Sequence, residues 1–232
     1  QLSGVVSTFA TGIYNPVGIA TDSAGNVYIA SIYDSLIRKI DTSSNVIVIA
    51  GSTPGFQDGE GTSAQFNIPA GLTVDSSGNI YVADNNNNCI RIIDTSYNVT
   101  TFAGSSTGGF SNGIGSNAQF NRPTDVAIDP SGTYLYVSEE VNVSIRKIEI
   151  STSNVMSFVG GTVGFADGVG SNAQFNYPTA IDISSSGIIY VADPLNQRIR
   201  RIDPVTSNVT TFAGTGVSGR IDGPASNATF FN

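Results

Sequence analysis

The sequence predicts an all-β fold, a β-propeller of four-stranded antiparallel blades, and three observations predict it. Four copies of a unit with spacings of 53, 54 and 55 residues fill the chain, opened by Pro16, Pro69, Pro123 and Pro178. A period in this range marks propellers, solenoids or arrays rather than an ordinary globular core. Each unit holds four short runs rich in β-branched and aromatic residues, divided by Gly, Asn, Asp and Ser. Such runs read as strands joined by tight turns. No stretch carries a 3.6-residue apolar period, so essentially no helix is expected. A lone four-stranded sheet cannot cover both of its faces, so the units must stack as blades.

The second unit shows the elements in order. An inner strand follows Pro69 as Ala70 to Asp75, and the turn Ser76 to Asn79 reverses it. Ile80 to Asp84 forms the second strand, and a polar bend through Asn85 to Asn88 leads into the third, Ile90 to Asp94. The turn Thr95 to Asn98 then opens the outer strand, Val99 to Gly104. The template recurs, which divides the chain at 16–68, 69–122, 123–177 and 178–232.

These residues resemble the NHL-repeat family of β-propellers. The resemblance rests on the run from proline through the Asp-x-x-Gly turn and the Tyr-Val-Ala-Asp strand to the Arg-containing third strand. It is clearest at Pro69 to Asp94 and Pro178 to Asp203. It implies a ring mostly of six blades that serves as a binding or scaffold module. Some relatives bind RNA, some sit in extracellular proteins and a few carry lyase chemistry.

Composition bounds the function. The chain is 40% hydrophobic but only 12% charged, with a net charge of −8, so Gly, Ser, Thr and Asn must fill much of the surface. A protein that wraps a phosphate backbone needs clustered Lys and Arg. The ten basic residues here sit mostly in the third strands, so no nucleic-acid partner is expected. The neutral surface suits an extracellular or cell-surface setting. No apolar run reaches membrane-spanning length. The single cysteine, Cys89, reads as a small buried hydrophobe. The start at Gln1 suggests a processed or partial product.

The phase of the repeat is informative. Val5 to Ala10 matches the outer-strand template, so residues 1–15 are expected to supply the outer strand of an incomplete blade. Three completions are open: further blades of the same chain making a five- or six-bladed ring, blades from a neighbouring subunit, or a four-bladed ring with a spare strand. Unpaired edges favour the first two, because an exposed edge strand recruits a partner.

Candidate sites fall into three sets. The connectors between blades repeat a Gly-Phe pair and an acidic or amide residue before Gly, giving Phe56, Asp58, Phe110, Asn112, Phe165, Asp167 and Asp222. Such loops either pack on themselves or form a recognition rim for a protein or carbohydrate partner. Arg38, Arg91, Arg146 and Arg200 recur in every blade, and Asp84, Glu139 and Asp193 end three second strands. A group repeated per blade reads as a structural ion pair, with a charged ring around the channel as the alternative. Asn98, Asn142, Asn208 and Asn227 head N-x-Ser/Thr sequons and would accept glycans in a secretory protein.

The chain has no histidine, the commonest general base and metal ligand. Asp58-Gly59-Glu60 lacks the oxygen count of a calcium loop. No catalytic, metal or cofactor residue is therefore assigned. The expectation is a non-catalytic extracellular or cell-surface scaffold or recognition module, able to join a larger assembly. A lyase or hydrolase with an axial site, and a receptor sensor domain, are the alternatives.

Overall fold

The computed structural model of the chain describes residues 5–231. Four antiparallel sheets follow one another, each with sequential strand order. Blade 1 comprises Pro16–Thr21, Val27–Ser31, Leu36–Ile40 and Val46–Gly51. Blade 2 comprises Pro69–Val74, Ile80–Asp84, Cys89–Ile93 and Asn98–Gly104; blade 3 comprises Pro123–Ile128, Tyr134–Glu139, Ser144–Glu149 and Asn154–Gly160. In blade 4 the strands are Ile181–Ile183, Ile189–Asp193, Arg198–Asp203 and Asn208–Ala213. The expected all-β propeller is the observed fold, and the only helical pieces among the described residues are five three-residue 3₁₀ turns.

The hairpin turns are built by local chemistry. Asp75 Oδ1 accepts the backbone N–H of Ser77 and of Asn79, while Asn79 Nδ2 donates to Asp75 Oδ2 at 2.8 Å. Asp22, Asp41 and Asp94 repeat this arrangement with Asn26, Asn45 and Asn98. A side chain that satisfies the turn's own amides fixes the reversal without help from the core. The same bonds hold the Asp41 and Asp94 carboxyls below the usual carboxylate range, with the Asn45 and Asn98 side chains as the leading cause.

The core lies between blades, not within them. One apolar cluster joins blades 1 and 2 through Ile37, Ile49, Leu72, Val82 and Ile93. Equivalent clusters join blade 2 to blade 3 and blade 3 to blade 4. A connector phenylalanine is buried in each seam: Phe66, Phe120 and Phe175 are all 0% exposed. Burying a side chain of this size stabilises each seam by about 2–3 kcal/mol.

The connectors are more ordered than a loop reading suggests. Each of the first three adds a fifth, edge strand to the blade that follows it. Gly59–Glu60 pairs with Asn98 and Val99, Gly113–Ile114 with Asn154 and Val155, and Gly168–Val169 with Asn208 and Val209. Blade 1 has no fifth strand among the described residues.

Two sequence expectations change here. Val5 to Ala10 forms no strand and pairs with none of the four sheets; residues 1–4 of the expected 1–15 segment lie outside the described residues. Residues 8–13 instead border a cleft against Ile19, Val27 and Ile40 of blade 1. In blade 4 the inner strand starts at Ile181 rather than just after Pro178.

Candidate functional site

Three of the four repeated arginines, Arg91, Arg146 and Arg200, are structural clamps, each held by its own blade and by the preceding connector. Arg91 Nη1 donates to Asp84 Oδ2 at 3.0 Å and to the Gln65 carbonyl at 2.9 Å. Its Nη2 donates to Asp58 Oδ1 at 2.6 Å and to the Gln57 carbonyl at 2.9 Å. Phe56 and Phe66 flank the guanidinium, each with its ring centre 5.2 Å away. Arg146 repeats the clamp with Glu139 and Asn112, and Arg200 with Asp193 and Asp167. All three arginines are 0% exposed. Burial pushes the Asp84 carboxyl up to about 6, against the opposing pull of the Asn67 N–H, the Asn87 amide and Arg91. Arg38 differs: it bonds Ser31 and Asp34, both within blade 1.

The residues singled out as a recognition rim therefore divide. Asp58, Asn112 and Asp167 point their polar atoms at the buried arginines. Phe56, Phe110 and Phe165 sit over the same guanidinium groups while remaining half-exposed. Asp222 is exposed, and no blade lies beneath it among the described residues. The sequon residues divide as well. Asn142 donates its amide to the Gly109 carbonyl at 2.9 Å and to Glu139 at 2.7 Å, as Asn87 and Asn196 do in their blades. That asparagine is part of the clamp, and its nitrogen is not presented for attachment. Asn98 and Asn227 are exposed and Asn208 is half-buried.

The singular feature lies on the axis. The four inner strands converge, and the third residue of each repeat, counted from its proline, is Gly18, Gly71, Asp125 and Ala180. These strands approach so closely that a Cβ on Gly18 would overlap the Ala70 carbonyl, and one on Gly71 would overlap the Asp125 carboxyl. A carboxylate thus occupies a position where the repeat otherwise places the smallest residues. Asp125 Oδ2 accepts the Ile181 N–H of the next blade at 3.0 Å, and Oδ1 accepts the Val126 N–H at 2.8 Å. Two of about four acceptor sites on the carboxylate are filled.

Asp125 borders two clefts of about 550 and 480 Å³. Asp182 and Thr73 line the larger one with it. Thr124 and Ser138 bond the Thr179 carbonyl beside it, fixing blade 4 against blade 3. Among the described residues Asp125 makes no ion pair with Lys or Arg. Burial, above all, raises its carboxyl to about 6; the two N–H bonds oppose the rise and the Asp182 charge adds to it. From sequence alone Asp125 and Asp182 are available as axial carboxylates for a hydrolase, but no spacing supports that role. Aligning the third position of each repeat, counted from its proline, shows Asp125 as the one charge among small residues.

Fold and axis together define a β-propeller with a polar axial cleft. The chain carries an NHL repeat of the β-propeller type: the family model described as NHL repeat matches residues 66–93. The chain is 29% identical over 255 residues to Arabidopsis thaliana Protein SUPPRESSOR OF QUENCHING 1, chloroplastic, covering 78% of this chain and 24% of that protein. It is 30% identical over 126 residues to Bos taurus NHL repeat-containing protein 2, covering 50% of this chain and 17% of that protein. The chain thus spans about a quarter or less of the length of these curated relatives.

Among solved structures it resembles an auxiliary nutrient binding protein from Bacteroides thetaiotaomicron, with a TM-score of 0.63, 18% identity, and coverage of 95% of this chain and 63% of that one. It resembles a gluconolactonase from Xanthomonas campestris with a TM-score of 0.64, 13% identity, and coverage of 88% and 64%. A streptogramin B lyase gives a TM-score of 0.55, 16% identity, and coverage of 89% and 72%. The expectation of a protein that is not an enzyme is overturned by these neighbours, since the shared fold carries catalysis in two of them. The missing histidine was the wrong ground, because a buried carboxylate with a raised pKa also serves acid–base chemistry.

Proposed function

We propose that this NHL propeller is a recognition module whose ligand site is the axial cleft at Asp125. One observation carries the reading: a carboxylate breaks the repeat at the point of closest strand approach, borders two clefts and makes no ion pair among the described residues. Such a group accepts hydrogen bonds from a ligand, so the ligand class is a small molecule with a cationic or hydroxyl donor. An anionic ligand would meet Asp125 and Asp182 together and be repelled. The resemblance to a nutrient binding protein supports the same reading at the level of the fold. The neutral surface and the exposed Asn98 and Asn227 support an extracellular or cell-surface setting.

Calorimetric titration with a panel of primary amines, neutral sugars and sugar acids tests the site. At least one amine or neutral sugar is expected to bind the wild type and to lose affinity at least tenfold in Asp125→Asn. Gly71→Ala, which displaces the carboxyl, is expected to act in the same direction. Equal binding by wild type and Asp125→Asn, or preference for the acids, overturns the proposal.

A further inference from the structure

One connector position is shaped for a carboxylate and filled by an amide. The connectors before blades 2 and 4 carry Asp58–Gly59 and Asp167–Gly168, and Asp222–Gly223 follows blade 4, whereas the connector before blade 3 carries Asn112–Gly113. Where aspartate is present, one carboxylate oxygen serves the arginine and the other serves the outer strand. Asp58 Oδ1 accepts from Arg91 at 2.6 Å and from the Thr101 hydroxyl at 3.1 Å, and its Oδ2 accepts the Thr101 N–H at 3.3 Å. Asp167 repeats the set with Arg200 and Thr211. Asn112 keeps half of it: its Oδ1 accepts from Arg146 at 2.7 Å and from the Ser157 hydroxyl at 3.1 Å.

The other half fails. Ser157 stands opposite Arg146 as Thr101 stands opposite Arg91, so the Asn112 side-chain nitrogen takes the place where Asp58 Oδ2 accepts an N–H. An amide nitrogen donates and does not accept. Among the described residues the only hydrogen bonds of the Asn112 side chain are the two on Oδ1. Turning the amide over would aim its N–H groups at the guanidinium instead. A carboxylate alone satisfies both neighbours. Asn112 is also the one asparagine of 21 that is followed by glycine. Glycine has no Cβ to screen its backbone nitrogen from the preceding side chain.

We infer that Asn112 is a self-modifying site, converted to aspartate by its own neighbour. The Gly113 backbone nitrogen attacks the Asn112 side-chain carbonyl carbon and gives up its proton. Negative charge gathers on Oδ1, where Arg146 and Ser157 already donate, as in an oxyanion hole. The bond to the side-chain nitrogen breaks, and ammonia leaves with the proton. Water then opens the cyclic imide at the side-chain carbonyl carbon, which gives the carboxylate and restores the Gly113 N–H. One water is consumed and one ammonia released. Gly113–Ile114 is a two-residue edge strand, so fraying from Val155 frees the attacking nitrogen. The product makes the ion pair to Arg146 that Asp58 and Asp167 make in their own blades, which favours aspartate over isoaspartate. The inference is independent of the axial ligand.

Peptide mapping by mass spectrometry tests it on the 232-residue chain held at mildly alkaline pH, with the same chain unfolded in urea as the clock. By the time half of position 112 has converted in urea, the folded chain is expected to have converted to a similar extent, with α-aspartate as the main product and the other asparagines unchanged. Ser157→Ala, at an exposed position, is expected to slow the folded reaction severalfold and leave the reaction in urea unaltered. Asn112→Asp is expected to melt at a higher temperature than freshly made wild type. Conversion in the folded chain at under a tenth of the rate in urea, a mainly isoaspartyl product, a Ser157→Ala rate equal to wild type, or an Asn112→Asp variant that melts lower overturns the inference.

Discussion

Replacing Arg91 by Met is the sharpest test of how the blades are held. The substitution removes four hydrogen bonds and leaves the Asp84 carboxyl buried beside the Asn67 N–H and the Asn87 amide. Met fills most of the slot between Phe56 and Phe66, so the loss is electrostatic rather than a cavity. Removing one partner of a buried ion pair costs about 3–5 kcal/mol. At about 2–4 °C per kcal/mol for a domain of this size, the melting point falls by roughly 6–20 °C. With Arg91 gone, burial drives Asp84 to bind a proton at neutral pH. The deficit therefore shrinks on going from pH 8 to pH 5, where the proton is easier to acquire. A second change, Asp84→Leu, removes the stranded carboxyl and recovers part of the loss. Urea denaturation at both pH values measures all of this. A loss under about 1 kcal/mol, or a deficit that grows as the pH falls, refutes the clamp.

Other expectations follow from single residues. Asp125 has a carboxyl raised from 3.8 to about 6, so the folded state binds the extra proton between those values. Its contribution favours folding at the acid end and is lost as pH rises from about 4 to 6, by at most about 3 kcal/mol. Asp125→Asn removes that part of the slope in a pH series of urea melts, and an unchanged slope contradicts the burial of this group. Gly104 has φ +90°, and an added Cβ would lie 2.8 Å from the Asn88 carbonyl oxygen and from the Phe120 ring. Gly104→Ala is expected to cost about 2–3 kcal/mol from strain and the displaced seam, read by thermal melting. Burial pushes the Cys89 thiol well above its usual value, with the Asp84 charge adding to it. Native protein is expected to resist a thiol-specific colorimetric reagent that reacts at once in denaturant.

What the sequence revealed depended on the range of each interaction. The turns were legible because Asp75 and Asn79 satisfy one another four residues apart, and the same letters recur in other turns. The ion-pairing arginines were legible from their recurrence, and Asp84 lies only seven residues before Arg91. The other half of the clamp was not, because Asp58 lies 33 residues upstream in a segment that resembles a glycine-rich loop. Only pairing of Gly59–Glu60 with the outer strand brings it under the arginine. Val5 to Ala10 shows the converse. A strand-like composition makes a strand only where it pairs with a neighbour. Asp125 was visible as a carboxylate but not as a site, since its meaning comes from differing from Gly18, Gly71 and Ala180 at one spatial position.

The axial site has one direct readout, the carboxyl carbon resonance of Asp125 followed by NMR through a pH titration. The account predicts a midpoint near 6 in the free protein, absent from the spectrum of Asp125→Asn. Adding the amine or sugar that binds is expected to move that resonance and, for a cation, to draw the midpoint down. A midpoint near 4, or a resonance unmoved by a ligand that binds, would contradict the axial cleft as the recognition site.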